Sequence, residues 1–219
     1  MALPGALRSR FPAHLSRFDP MFDVFENYLR GWVAISEEEL QVIRAACSEK
    51  SLRKWQSILH DGEVWKSNCF ITDGCFRLYR FSKDGTDHTM RFGVANWWMT
   101  DQESYNNGTP SEYNIEALAA SKVIIWTKDS WVELLATIPT LKVFNEKLLA
   151  RAYETSQRRI FSLISGSAEE KYLEFQQTYP NVFNKVPLHM VASYLGISRE
   201  TLSRIRREFT KPLSKNLPE

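Results

Sequence analysis

Cysteine is scarce in this sequence, with only Cys47, Cys69 and Cys75 among 219 residues. No two of them form a C-x-x-C pair, and no histidine cluster lies beside them. This distribution argues against a disulfide framework and a zinc site, and it fits a reducing compartment. A nucleophile triad, a phosphate-cradling loop and a paired carboxylate site are also missing. We therefore predict a protein that is not an enzyme and carries no metal or cofactor.

Long apolar runs are missing as well. Residues 1–19 contain no apolar run of signal-peptide length, because Arg8, Arg10, His14 and Arg17 interrupt them. No stretch approaches the roughly 20 apolar residues that span a bilayer. We expect a cytoplasmic protein without a membrane partner.

A strong overall charge is absent too, since the net charge is only +2. The charge is unevenly distributed, however. Residues 185–219 contain seven basic and three acidic residues, a local net charge of +4. A basic end on a nearly neutral body suits a protein that meets a polyanion there, although a solvated basic helix has the same composition.

The first two-thirds of the chain has the pattern of a small β-structure. Residues 1–20 hold three prolines and no periodicity, which predicts a flexible extension. Within residues 21–137, short apolar runs are separated by Asp-Gly pairs at residues 61–62, 73–74 and 84–85, which are typical of tight hairpins. Ser36 and Glu39 predict a capping box at the start of a short helix. We predict an α+β fold that begins with an antiparallel β-roll.

Helical spacing follows over residues 138–165. One apolar line comprises Leu141, Phe144, Leu148 and Ala152, and a second comprises Leu149, Tyr153, Ile160 and Leu163. A helix of about 25 residues with two apolar faces packs on its own domain and on a second copy of itself. The pattern therefore predicts a dimerisation helix and a homodimer.

Residues 166–219 contain the most informative motif. Ser167 and Glu170 form another capping box. Further on, Gly196 stands where the chain must reverse between two short helices, and Ser198 is placed to cap the second one. The inward positions are Val191, Leu195, Ile197, Leu202, Ile205 and Phe209. This arrangement predicts a helix-turn-helix, whose second helix would lie in the major groove of double-stranded DNA.

The exposed face of that second helix is charged and polar. It presents Arg199, Glu200, Ser203, Arg204 and Arg207. Arginine makes bidentate bonds to guanine, and glutamate accepts from cytosine. An αα-hairpin with a solvated charged face is the alternative interpretation.

The string from Ile197 to Arg204 resembles the recognition helix of Crp/Fnr transcription regulators, and the order of β-roll, long helix and helix-turn-helix is similar to theirs. The resemblance covers about residues 22–210. It implies a cyclic-nucleotide-binding-like β-roll and a winged-helix-like C-terminal domain, with Arg199, Glu200 and Arg204 reading bases and Ser198 and Thr201 near phosphates. It also implies a palindromic site with half-sites like TGTGA, and RNA polymerase as a partner should the protein be an activator.

The sequence departs from the family's nucleotide-binding members. In those members an arginine neutralises the phosphate, but no arginine lies between Arg91 and Arg151 here. Ser111 and Glu112 stand at the corresponding place, and an acidic residue would repel phosphate. Trp97, Trp98, Thr155 and Ser156 complete the possible ligand pocket. We expect no tight binding of cyclic AMP, and the three cysteines are too few for a four-thiolate iron–sulfur cluster.

A second function remains open from the sequence. The β-roll would then bind a small molecule, and the C-terminal helices would mediate protein–protein contacts only. The pairing of Arg199 and Glu200 with Arg204 favours DNA over that alternative. The small-molecule effector is unknown in either case.

Overall fold

The computed structural model describes residues 20–180, 182–183 and 185–210. The predicted extension over residues 1–20 therefore lies, apart from Pro20, outside the described residues. The described chain begins with two helices, α1 (Pro20–Arg30) and α2 (Glu37–Ala45). Ser36 caps α2, and both hydrogen bonds of the predicted capping box with Glu39 are present. Helix α1, whose Phe22, Phe25 and Leu29 are buried, was not predicted from the sequence.

Eight strands follow and form two four-stranded antiparallel sheets. They are β1 (Ser48–Leu52), β2 (Ser57–Leu59), β3 (Ser67–Asp73), β4 (Cys75–Phe81), β5 (Asp87–Val94), β6 (Trp97–Met99), β7 (Asn114–Ala117) and β8 (Ser121–Thr127). One sheet has the order β1-β8-β3-β6, and the other has the order β2-β7-β4-β5. Buried apolar side chains, including Trp65, Ile71, Phe76, Met99 and Ile115, form one cluster in this β-roll. A short helix, α3 (Gln102–Asn107), connects β6 to β7.

Two of the three predicted hairpins are wrong. Asp84-Gly85 does connect β4 to its hydrogen-bonded neighbour β5. Asp73-Gly74, however, carries the chain from one sheet to the other, and Asp61-Gly62 lies between β2 and β3, which also belong to different sheets. All three glycines have positive φ. The local turn is thus as predicted, but a turn does not decide which strands pair.

Gly74 is required at the crossing between the sheets. Its φ is +106°, and an added Cβ would lie 2.1 Å from Ser121 Oγ and 2.7 Å from Ser121 Cα. We expect Gly74→Ala to destabilise the protein by roughly 2–5 kcal/mol, because backbone strain adds to a clash with backbone. Gly85 has φ +83° and nothing within 4 Å of the added Cβ. Gly85→Ala should therefore cost only the strain, about 1–2 kcal/mol. Urea unfolding monitored by circular dichroism compares the two variants, and equal losses would contradict the steric argument.

A layer of helices covers the outer face of the first sheet. It contains α1, α4 (Lys128–Thr137) and the start of α5 (Pro139–Ser165). The sequence analysis did not identify α4, which ends just before Pro139. Its Trp131 packs edge-on against Trp98 and Trp126, with ring centroids 5.3 Å apart in each pair. Several of the sequence's many aromatic side chains fill this layer.

The fully buried side chains of the long helix α5 lie near its beginning. Leu141 and Phe144 are fully buried, and Phe144 packs against Trp32 and Tyr28 of the helical layer. From Leu149 onward the large apolar side chains of α5 are exposed, among them Tyr153 (66%) and Ile164 (81%). The first predicted apolar line is therefore buried at Leu141 and Phe144 and half-buried at Leu148, whereas Ala152 and the whole second line are exposed.

The C-terminal helices form a compact unit that packs on the second sheet. They are α6 (Ala168–Thr178), α7 (Leu188–Leu195) and α8 (Arg199–Thr210). The second capping box is confirmed, with Ser167 and Glu170 bonded reciprocally. Phe92 of β5 joins their core, where it contacts Phe175, Tyr179 and Tyr194. The β-roll and the C-terminal unit thus share one apolar cluster.

Candidate nucleic-acid interface

Local signals shape the turn between α7 and α8 as predicted. Gly196 ends α7 in the left-handed conformation with φ +66°, and its N–H donates to the carbonyl oxygens of Ala192 and Ser193. A side chain there would strain the backbone. Ser198 Oγ then accepts from the backbone N–H of Thr201 at 3.1 Å, which caps α8. These bonds set the angle at which α8 leaves the turn.

The inner face of the motif is apolar and buried. Val191 and Leu195 of α7 pack in one cluster with Leu202 and Ile205 of α8, and each of the four is at most 3% exposed. Phe209, predicted to lie inside, is 48% exposed and lies at the rim, where its ring is 5.4 Å from that of Tyr172. The burial leaves the opposite face of α8 open to solvent.

The residues predicted to contact DNA lie on that open face or at its edge. Ser198, Arg199, Glu200, Arg204 and Arg207 are exposed, whereas Thr201 and Ser203 are half-buried. Hydrogen bonds from its own backbone N–H and from Ser198 lower the pKa of Glu200, so this carboxylate is ionised at neutral pH. An ionised carboxylate on a surface that approaches DNA repels phosphate unless it accepts from a base.

Arg204 has acidic neighbours that the sequence analysis missed. Its guanidinium lies 3.6 Å from Glu169 Oε1 of α6 and 3.3 Å from Glu208 Oε1 of α8. The pairing with Glu208 follows from the i, i+4 spacing and was predictable. The contact with Glu169 joins two helices 35 residues apart in the chain and carries no local signal.

The helix-turn-helix is attached to the β-roll by specific contacts. Ser193 Oγ of α7 accepts from the backbone N–H of Thr89 at 3.0 Å. The Arg159 guanidinium of α5 lies 3.5 Å from the centre of the Tyr194 ring and donates to the Tyr194 carbonyl at 2.9 Å. The position of α7 therefore depends on β5 and on the long helix at the same time.

The residues predicted for the ligand pocket do not come together. Trp98 packs in the helical layer outside the sheet, against Phe25 and Phe70, whereas Trp97 on the other side of β6 lies 5.2 Å from the ring of Tyr179. Glu112 is exposed and forms a 2.9 Å ion pair with Arg80. Thr155 and Ser156 are exposed on α5. Within one chain these residues do not line a single pocket, because alternation along β6 sends its two tryptophans to opposite faces.

Ser111 is already engaged inside the β-roll. Its hydroxyl donates to Asp101 Oδ2 at 2.6 Å, and the Asp101 carboxylate also accepts from the backbone N–H groups of Glu103 and Ser104. This buried carboxylate occupies the amino-terminal end of α3. A phosphate placed there would meet a negative charge instead of free N–H donors.

The fold consists of a β-roll followed by a helix-turn-helix with an exposed, charged face. A family model described as the cyclic nucleotide-binding domain matches residues 49–138. The chain is 25% identical over 189 residues to the fumarate and nitrate reduction regulatory protein of Yersinia pestis, covering 81% of this chain and 75% of that protein. It is 24% identical over 176 residues to electron transport regulator A of Shewanella oneidensis, covering 74% and 69%.

The fold also resembles a solved structure from Eubacterium rectale, described as a transcriptional regulator of the Crp/Fnr family. The TM-score is 0.63 at 17% identity, with 84% of this chain and 87% of that chain covered. These matches support the similarity of this chain to transcription regulators of the Crp/Fnr type. Both sequence relatives are named as regulators. No helix among the described residues is long and apolar enough to cross a membrane.

Proposed function

We propose that this regulator binds a palindromic DNA site as a homodimer, with α8 of each protomer in the major groove, and that it does so without cyclic AMP. The observation that carries the proposal is the open face of α8. Arg199, Glu200 and Arg204 stand on its first turns, and Leu202 and Ile205 anchor its opposite face. The first turns of a recognition helix approach base edges most closely. Arg199, Glu200 and Arg204 are therefore assigned to bases, whereas Ser198 and Thr201 are assigned to phosphates.

The exposed apolar side chains of α5 support the homodimer. Leu149, Tyr153, Ile160, Leu163 and Ile164 follow one another at spacings that bring them to one side of the helix. A soluble chain rarely exposes such a continuous apolar line unless another surface covers it. Two copies of the same helix pack together through lines of this kind. A two-fold dimer then presents two α8 helices to two half-sites, which accounts for a palindrome.

Salt-dependent binding tests the DNA-binding function itself. A DNA duplex is first selected from random sequences by binding to the full-length chain. The chain should bind this selected duplex with higher affinity than a scrambled duplex of equal length. Its affinity for both should fall as salt rises, because phosphate contacts release counterions. A chain whose helices mediate only protein contacts would show neither preference nor salt dependence. As an activator, the DNA-bound dimer would also contact RNA polymerase.

Cyclic AMP should bind weakly or not at all. Asp101 holds Ser111 and the first N–H groups of α3, and Arg77, which is buried near β7, is already paired with Glu116 and Asp87. No cation is therefore available from these groups to neutralise a phosphodiester. Isothermal calorimetry should show no binding at micromolar concentrations.

Arg91 provides the control for the calorimetry. Its guanidinium contacts only the Thr100 carbonyl, at 3.4 Å, among the hydrogen bonds of the described residues, and burial lowers its pKa. Micromolar affinity that disappears in Arg91→Ala would show that this arginine replaces the missing one, and the proposal would then be wrong.

A further inference from the structure

Arg204 differs from Arg199 in its electrostatic surroundings. Two carboxylates, from Glu169 and Glu208, lie within 4 Å of the Arg204 guanidinium. Among the described residues, no carboxylate lies within that distance of the Arg199 guanidinium. The two arginines on the same helix therefore meet DNA from different starting states. Arg199 is ready to interact, whereas Arg204 must leave its partners first.

The position of Glu169 is fixed by the packing of α6 on α8. Ser167 and Glu170 complete the cap of α6, so Glu169 is not needed for that purpose. The ring contact between Tyr172 and Phe209 holds the two helices side by side. Glu169 consequently projects from the first turn of α6 beside the middle of α8. The cap fixes the start of α6, and the ring contact fixes its distance from α8.

We propose that Glu169 is a specificity-determining residue that keeps Arg204 paired on non-cognate DNA and releases it to a cognate base. This inference rests on the proposed function, in which Arg204 reads a base. While Arg204 remains paired with Glu169, it offers little net charge to a phosphate. Glu169 therefore lowers the affinity for non-cognate DNA more than the affinity for the cognate site.

The relative strengths of the interactions decide this behaviour. Arg204 and Glu169 are both about half-exposed, and ion pairs of this kind are weak and screened by salt. A bidentate contact with guanine is stronger and displaces the pair. A single contact with an exposed phosphate is of similar strength to the pair and competes with it on nearly equal terms. The Glu169 carboxylate thus lowers the affinity for non-cognate DNA more than the affinity for cognate DNA.

The experiment compares Glu169→Gln with the wild-type chain on two duplexes, one selected from random DNA and one scrambled. We expect affinity for the scrambled duplex to rise about threefold to tenfold near 0.1 M salt, as expected for one fewer carboxylate and one released arginine. The salt slope on that duplex should steepen by about one unit per protomer. The affinity for the selected duplex should change less, so the specificity ratio should fall.

Two further variants separate this role from simple charge repulsion. In an Arg204→Ala background, Glu169→Gln should no longer change the specificity ratio, because the residue acts through Arg204. Glu174→Gln removes an exposed charge from the same helix, where the carboxylate accepts from Ser162 at 2.6 Å. It should leave the specificity ratio unchanged.

Three results would overturn the inference. The first is an equal gain on both duplexes after Glu169→Gln, and the second is an undiminished effect in the Arg204→Ala background. Either of these would leave Glu169 as a general repulsive charge while the proposed function stands. The third is the absence of salt-dependent binding to any duplex by the wild-type chain, which would overturn the proposed function together with the inference. Thermal melting should be unchanged in Glu169→Gln, since the side chain is exposed and the two residues have the same shape.

Discussion

Replacing Tyr153 and Ile160 together by glutamate should convert the protein from a dimer into folded monomers. Both side chains lie on the exposed apolar line of α5, at 66% and 49% exposure within one chain. Their replacement should therefore change the folding stability of the isolated chain little. In a dimer, the same glutamates would be buried without partners opposite their own copies, which strongly opposes association. Light scattering at micromolar concentration should report the mass of one chain.

The loss of the dimer should also weaken binding to the palindrome by at least about 100-fold, because the second half-site is no longer bound at a high effective concentration. Arg158→Glu is the matched control. Arg158 lies on the opposite side of α5 from Ile160 and is exposed. The Arg158→Glu substitution introduces the same acidic residue, yet the dimer should persist. If the double variant stays dimeric, the protomers associate through another surface.

The sequence pattern predicts that charged residues at Phe144 and Leu148 would produce monomers, but the structure buries Phe144 and half-buries Leu148 in the core of the chain itself. Phe144 is fully buried, because it packs with Trp32, Tyr28 and Trp98 in the core of its own chain. A charged residue at this position should unfold the protein and would say nothing about the dimer. Substitutions for testing the interface therefore have to begin beyond Leu148.

The second large effect should come from removing the two arginines that are proposed to read bases. Arg199→Ala and Arg204→Ala should each lower the affinity for the cognate site by about 2–6 kcal/mol, because one bidentate contact of about 1–3 kcal/mol is lost in each half-site. Their affinity for scrambled DNA should fall much less. Binding curves on both duplexes at several salt concentrations give the two effects separately.

Arg207 and Glu200 serve as comparisons on the same helix. Arg207 lies two turns beyond Arg199 and is proposed to lie nearer the DNA backbone. Arg207→Ala should therefore lower the affinity for both duplexes alike and reduce the salt slope by about one unit per phosphate contact. Glu200→Ala should instead raise the affinity for scrambled DNA, since an ionised carboxylate leaves the interface. Equal losses on both duplexes for Arg199→Ala would show that Arg199 contacts phosphate and not a base.

Features that depend on neighbouring residues were readable from the sequence. Both capping boxes, the left-handed Gly196 and the cap at Ser198 involve groups within four residues of one another. Such interactions form in any chain with the same local pattern, whatever the rest of the molecule does. The helix-turn-helix could be predicted for this reason, and so could the exposed face of α8, because the buried positions of a helix recur at fixed spacing.

Features that depend on distant partners were decided only by the tertiary structure. The Asp73-Gly74 turn is encoded locally, but the assignment of β3 and β4 to different sheets depends on their partners β8 and β7. Trp97 and Trp98 are neighbours in sequence, and the pleat of β6 separates them. The pairing of Arg204 with Glu169 and the capture of Ser111 by Asp101 join groups that no spacing rule connects. The sequence determined α8, the helix proposed to face DNA, whereas packing determined which residue lies beside Arg204 and which side of α5 stays exposed.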